Sequence, residues 1–213
     1  DETERSLANL LVSLGRDLRL EVVAAPDGPR LRIDLSGTGG PHPGNLNAPE
    51  AVVRAAVLYG LRVISGADVP LNDGLLRRVD LVLPPDTVVA PPPGAAVAGG
   101  NVETSQRVAD LLLAAADRSA ASAGTMSNLT VGGDGWSFYE TVGGGQGASA
   151  RHRGADARQL HMTNTRATDP EVLEARLPVI LRRFAIRRGS GGRAQHRGGD
   201  GIVREIEVLT EAT

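Results

Sequence analysis

The chain contains no cysteine and no lysine. Without cysteine there is no disulfide framework, no thiol nucleophile and no thiolate metal site. Without lysine, all 23 basic residues are arginine. That excludes a P-loop lysine, a Schiff-base lysine and a pyridoxal-phosphate anchor from these residues. Any ATP chemistry must therefore be carried by another chain or segment. Aromatic residues make up only 2% of the sequence, so the core must be built from Val, Leu, Ile and Ala. No apolar run approaches the ~20 residues of a bilayer-spanning helix. The formal net charge of -2 gives no electrostatic footprint for nucleic acid or an anionic membrane. The first residues are charged, lack a signal-peptide pattern and lack an initiating Met, which suggests a trimmed chain.

What is present is an aliphatic, glycine-rich sequence. Hydrophobic residues make up 41% of it, and its 27 glycines are clustered, which signals tight turns and close backbone approaches. A chain of 213 residues can remove about 70% of its unfolded surface on folding. Residues 95–117 organise the reading. Val102, Val108, Ala109, Leu112, Leu113 and Ala116 recur at helical spacing, ahead of which stand Gly99 and Gly100. Asn101 is expected to cap this helix, with Glu103 in its first turn, where the dipole favours a carboxylate. Asn101, Glu103, Thr104, Ser105 and Gln106 then group at the amino end of a buried rod, as a cap or as the floor of a site.

The remaining elements follow from the same rules. Helical periodicity is expected over 7–20, and again over 50–64 through Val53, Ala56, Val57, Gly60, Val63 and Ile64. Asn47 and Glu50 resemble a capping box, with Pro49 in the first turn. Strands are expected over 31–35, 75–83, 136–142, 179–188 and 202–209, and a short helix over 169–176. Residues 119–123 form a small-residue linker and a possible sub-boundary. The glycine clusters at 143–147, 189–192 and 198–201 read as turns, because the G-x-G-x-x-G spacing of a dinucleotide fold is not met. His42, His152, His161 and His196 are too scattered to define a metal site. His161 lies near Asn164 and Arg166, a grouping able to orient an anionic or amide substrate. The expected fold is mixed α/β: aliphatic helices packed on a mixed or antiparallel sheet with glycine-rich loops, over residues 1–213 as one segment.

Six motifs occur in register: GNLNAPEAV, VAGGNVETSQRV, GTMSNLTVGG, FYETVGGGQGA, LHMTNTRATDPEVLE and RRGSGGRAQHRGGDGIVRE. In these the sequence, from Leu31 onward, resembles the hydantoinase B/5-oxoprolinase family and the related subunits of acetone and acetophenone carboxylases. The resemblance implies an ATP-dependent cyclic-amide hydrolase that opens a lactam or hydantoin ring. A ketone carboxylase subunit and a non-catalytic assembly segment are the alternatives. It implies a hydantoinase A-like partner subunit that binds ATP and magnesium, within a multisubunit cytoplasmic complex acting on a small molecule. Subunits of the family are longer, and their His and Asp metal ligands lie in an amino-terminal half not found here. No metal ligand is therefore carried over, and this chain resembles a fragment expected to be inactive without the remainder of its subunit. By motif position and polarity, the candidate catalytic residues are Glu103 and His161. The candidate substrate-binding residues are Asn101, Thr104, Gln106, Asn128, Gln146 and Asn164.

Overall fold

The structure is a computed structural model that describes residues 30–210 and the strand segments Val12–Ser13 (β1), Arg19–Leu20 (β2) and Val23–Asp27 (β3). β1 and β2 pair antiparallel, so these residues are extended where periodicity points to a helix over 7–20. The rest of that span lies outside the described residues.

Arg30–Asp34 (β4) places Ile33 in the core while Arg32 faces solvent, the alternation expected of a half-buried strand. It pairs antiparallel with β3 and parallel with Val79–Val82 (β5), giving a three-stranded mixed sheet in the order β3-β4-β5. The parallel pair requires a crossover. Glu50–Ser65 (α1) lies within it, burying Val53, Ala56, Val57 and Gly60. The stripe ends at Gly60, since Val63 is exposed. The expected 75–83 strand forms only in its second half: Leu75–Arg78 coils into a 3-10 turn that buries Leu76, and only then does β5 begin.

The capping box does not form. Pro49 occupies the cap position with no side-chain bond. Asn47 instead folds inward, fully buried. Its Nδ2 donates to the carbonyls of His42 (2.9 Å), Gly44 (3.2 Å) and Ala96 (2.9 Å), while its Oδ1 accepts from the His42 N–H (2.7 Å). Four bonds within the fold outcompete one bond to a helix end, because a buried amide left unsatisfied is costly.

Ser105–Ala115 (α2) packs against α1 and is buried almost all round, Leu111 included. The core of Ile33, Leu35, Val53, Val57, Val88, Val89, Val108, Leu111 and Leu112 contains no aromatic ring. The remaining chain forms two antiparallel hairpins. Asn128–Gly133 (β6) pairs with Trp136–Thr141 (β7), and Val179–Arg187 (β8) with Gly201–Val208 (β9). Pro170–Arg176 (α3) precedes β8, and the Asp169 carboxylate accepts from the Glu171 N–H at its start. Among the described residues no helix is long and apolar enough to cross a membrane.

Candidate active site

The polar tip of α2 is built by a local irregularity. Residues 100–104 form a single π-helical turn, in which the Ser105 N–H reaches back five residues to the Gly100 carbonyl. Helical geometry therefore begins before Asn101, which is not a cap. The cause is crowding. A Cβ on Gly100 would stand 2.1 Å from the Asn47 carbonyl oxygen and 2.7 Å from Ala48 Cα, so only glycine lets α2 enter here. Thr104 Oγ1 donates to the Leu46 carbonyl (2.5 Å) and Ser105 Oγ to the Asn101 carbonyl (2.5 Å). These hydroxyls satisfy carbonyls, in place of capping by the Asn101 side chain. Such one-turn π-bulges are rare and concentrate at functional sites.

Four groups leave this tip. Glu103 is half-buried and accepts from Thr125 Oγ1 (2.5 Å), whose oxygen in turn accepts from the Ser127 N–H (2.9 Å). Gln106 is buried and donates to Thr163 Oγ1 (2.8 Å) and the Leu160 carbonyl (3.4 Å). Arg107 is half-buried against Gly124, and its Nε is enclosed without a hydrogen-bond partner among the described residues. Asp110 is 1% exposed; its Oδ1 accepts from the Ser122 N–H (2.8 Å) and from His161 Nε2 (2.8 Å).

His161 continues the last of these contacts. Its Nδ1 lies 3.1 Å from the Tyr59 hydroxyl. Nε2–H donates to the Asp110 carboxylate, and in the neutral ring Nδ1 accepts from Tyr59, which links Tyr59, His161 and Asp110 in one chain. Burial first, and the Asp110 carboxylate second, raise the Tyr59 pKa above the usual phenol range, so the hydroxyl stays protonated. Three elements are thus tied by one buried relay: α1, α2 and the loop after β7.

The segments 120–123, 143–148 and 187–202 line an open cavity of about 550 Å³, to which Ser127 also contributes and none of residues 100–107 does. These loops meet backbone to backbone. The position a Cβ would take on Gly199 is 1.9 Å from the Ala155 carbonyl oxygen, and that on Gly145 is 1.9 Å from the Gly199 carbonyl oxygen. Asp200 pins the bend: its oxygens accept from the N–H groups of Gly189 (3.1 Å) and Gly191 (2.8 Å) and from Arg197 Nη2 (2.9 Å). The backbone bonds from Gly191 and Gly189, with the Arg197 charge, hold this carboxyl below the usual range. Between β7 and β9, Arg204 Nε lies 2.7 Å from Glu140 Oε2, both side chains 2% exposed, and Arg204 stacks on the Phe184 ring.

A family model for hydantoinase B/oxoprolinase matches residues 4–213. The chain belongs to the hydantoinase B/oxoprolinase family. It is 49% identical over 193 residues to 5-oxoprolinase 1 of Arabidopsis thaliana, across 91% of this chain and 15% of that protein. Among solved structures, the ATP-dependent caprolactamase from Pseudomonas jessenii superposes with a TM-score of 0.78 at 23% identity, over 92% of this chain and 36% of that one. A nucleotide-free acetone carboxylase superposes with a TM-score of 0.76 at 18% identity, over 87% and 27% of the respective chains. Both likenesses show the mixed α/β fold. The chain spans about one-sixth of the length of its curated 5-oxoprolinase relative.

Within this segment of the hydantoinase B fold, the eight candidate residues do not converge on one cavity. Thr104, Gln106 and His161 are turned inward and spend their polar atoms on the fold. Glu103 stands half-buried at the tip, and Asn101 is exposed two residues before it. Asn128 is exposed and accepts from the Tyr139 hydroxyl (2.7 Å), Asn164 is exposed, and Gln146 lines the glycine-walled cavity. Among the described residues no group of three His, Asp or Glu side chains stands close enough to hold a metal ion.

Asp110, Tyr59, Arg107 and the Glu140–Arg204 pair lie outside the expectations drawn from sequence. A signal existed for Asp110. Glu103, Gln106 and Asp110 follow at spacings of three and four, a polar stripe on a helix whose apolar face dominates its periodicity. None existed for Glu140 and Arg204, which are 64 residues apart and meet only through tertiary folding.

Proposed function

We propose that this chain is part of the catalytic subunit of an ATP-dependent cyclic-amide hydrolase of the 5-oxoprolinase type. The observation that carries this reading is the 49% identity to 5-oxoprolinase 1 across 91% of the chain. In this reading ATP and its magnesium ion are bound by a hydantoinase A-like partner or segment, which agrees with the absence of a P-loop lysine here. In this reading Glu103 is the general base. Thr125 holds one carboxylate oxygen, leaving the other to take a proton from water or to accept from a substrate amide. Asn101 binds substrate beside it. Thr104 and Gln106 hold the tip against residue 46 and the 160–163 turn, and His161 is a positioning residue, since both ring nitrogens are engaged. Asn128, Gln146 and Asn164 are exposed amides available to a substrate carboxylate or an oxyanion.

The test uses the complete enzyme that contains this chain. ATP-coupled ring opening of 5-oxoproline is expected, and Glu103→Gln should lower kcat by about 10²-fold or more with an unchanged melting temperature. A lowered melting temperature with unchanged kcat would make Glu103 a structural residue and the segment an assembly module. Bicarbonate-dependent ATP hydrolysis without ring opening would replace the hydrolase with a ketone carboxylase.

A further inference from the structure

The cavity between the glycine loops is lined by basic and polar side chains. Arg187, Arg193, His196, Ser190 and Gln146 contribute to its wall, and no carboxylate does. Arg32, Arg54, Arg62, Arg153, Arg182, Arg197 and Arg204 each lie within ion-pair distance of an Asp or Glu. Arg187 and Arg193, both exposed, have no such partner among the described residues, as is also true of the exposed Arg151 and Arg166, so what sets the two apart is their place in the wall of this cavity. The acids of this bend are already committed. Asp200 accepts from two backbone N–H groups and Arg197. Asp156 Oδ1 accepts from Arg153 (2.7 Å) and the Asp200 N–H (2.7 Å). Ser190 Oγ already accepts from the Gly201 N–H (2.9 Å), which leaves its proton to donate.

The wall therefore offers two guanidinium groups, an imidazole, a hydroxyl and a carboxamide, in a chain whose formal net charge is -2. Its volume of about 550 Å³ is that of a small-molecule site. The close backbone packing at Gly145 and Gly199 fixes the loops that carry these groups. Guanidinium forks match the planar geometry of carboxylate and phosphoryl oxygens. We propose that this cavity binds a small-molecule oxyanion, a carboxylate or a phosphoryl group, held by Arg187 and Arg193. The inference stands on charge and shape and does not depend on the hydrolase reading, and its test reads occupancy rather than turnover.

The experiment maps arginine modification by phenylglyoxal in the complete enzyme, with mass spectrometry resolving each site. Inorganic phosphate and 5-oxoprolinate are added in separate arms, against chloride at equal ionic strength, with exposed Arg151 as the internal reference. Slowed modification of Arg187 and Arg193 in the phosphate arm supports the site and identifies a phosphoryl group. Slowing in the 5-oxoprolinate arm supports it and identifies a carboxylate. In either case Arg193→Gln should abolish the protection of Arg187. Protection no greater than chloride gives, or equal protection of Arg151, would overturn the proposal. These outcomes are independent of whether the enzyme opens a lactam ring.

Discussion

The molecule contains two regions held together by opposite means. The layer formed by α1, α2 and the mixed sheet is fastened by aliphatic side chains filling space. The layer formed by residues 143–158 and 187–202 is fastened by backbone against backbone at its glycines, where a Cβ has no room, and by the carboxylates of Asp156 and Asp200. In the first, stability grows with apolar volume; in the second, it depends on volume being absent. A methyl group thus has opposite sign in the two layers, although both come from one chain with the same overall composition.

The most severe test adds charge to this contrast. Glu140→Gln leaves the Arg204 guanidinium buried beside Phe184 without its counter-ion. A loss of about 4 kcal/mol in denaturant unfolding is expected. Next comes a matched pair. Leu112→Ala, which removes methyl groups from the first layer, should cost about 3 kcal/mol. Gly199→Ala adds one methyl where a Cβ would stand 1.9 Å from a carbonyl oxygen. It should cost about as much, ~3 kcal/mol, by overpacking. A neutral Gly199→Ala would end the distinction between the layers. The smallest effect is pH-dependent. The Asp200 carboxyl is depressed in the fold by Gly191, Gly189 and Arg197. Its stabilisation is therefore present above its unfolded pKa, near 4, and fades as pH falls through the lower folded value. Asp200→Asn should flatten the acid limb of a melting-temperature profile and lower the neutral plateau slightly.

The two regions are also unequally legible. Periodicity alone locates α1, α2, β4 and the strands β8 and β9, though not the pairing of the last two, because an apolar face repeats at a fixed interval. Within that frame the polar details go astray. Asn101 and Asn47 look like caps because asparagine commonly caps helices, and local rules cannot see that Gly100 must press against Asn47. Asp110 sits inside an apolar run, and its meaning comes from His161 and Ser122, both distant in sequence. The glycine layer is readable only as a set of turns. That its bends lean on one another, and leave Arg187 and Arg193 unmatched, is a tertiary fact with no local signature.

Asn47 carries one more consequence. Its side chain is a four-way rivet in which the amide nitrogen matters three times over. Spontaneous hydrolysis of that amide to an acid barely changes the mass, yet it would turn a donor toward three carbonyls into a repelling oxygen. Deamidation at residue 47 should therefore wait on local opening, and peptide mapping of heat-aged samples should find the conversion there concentrated in the unfolded fraction while exposed Asn101 and Asn164 convert in folded protein.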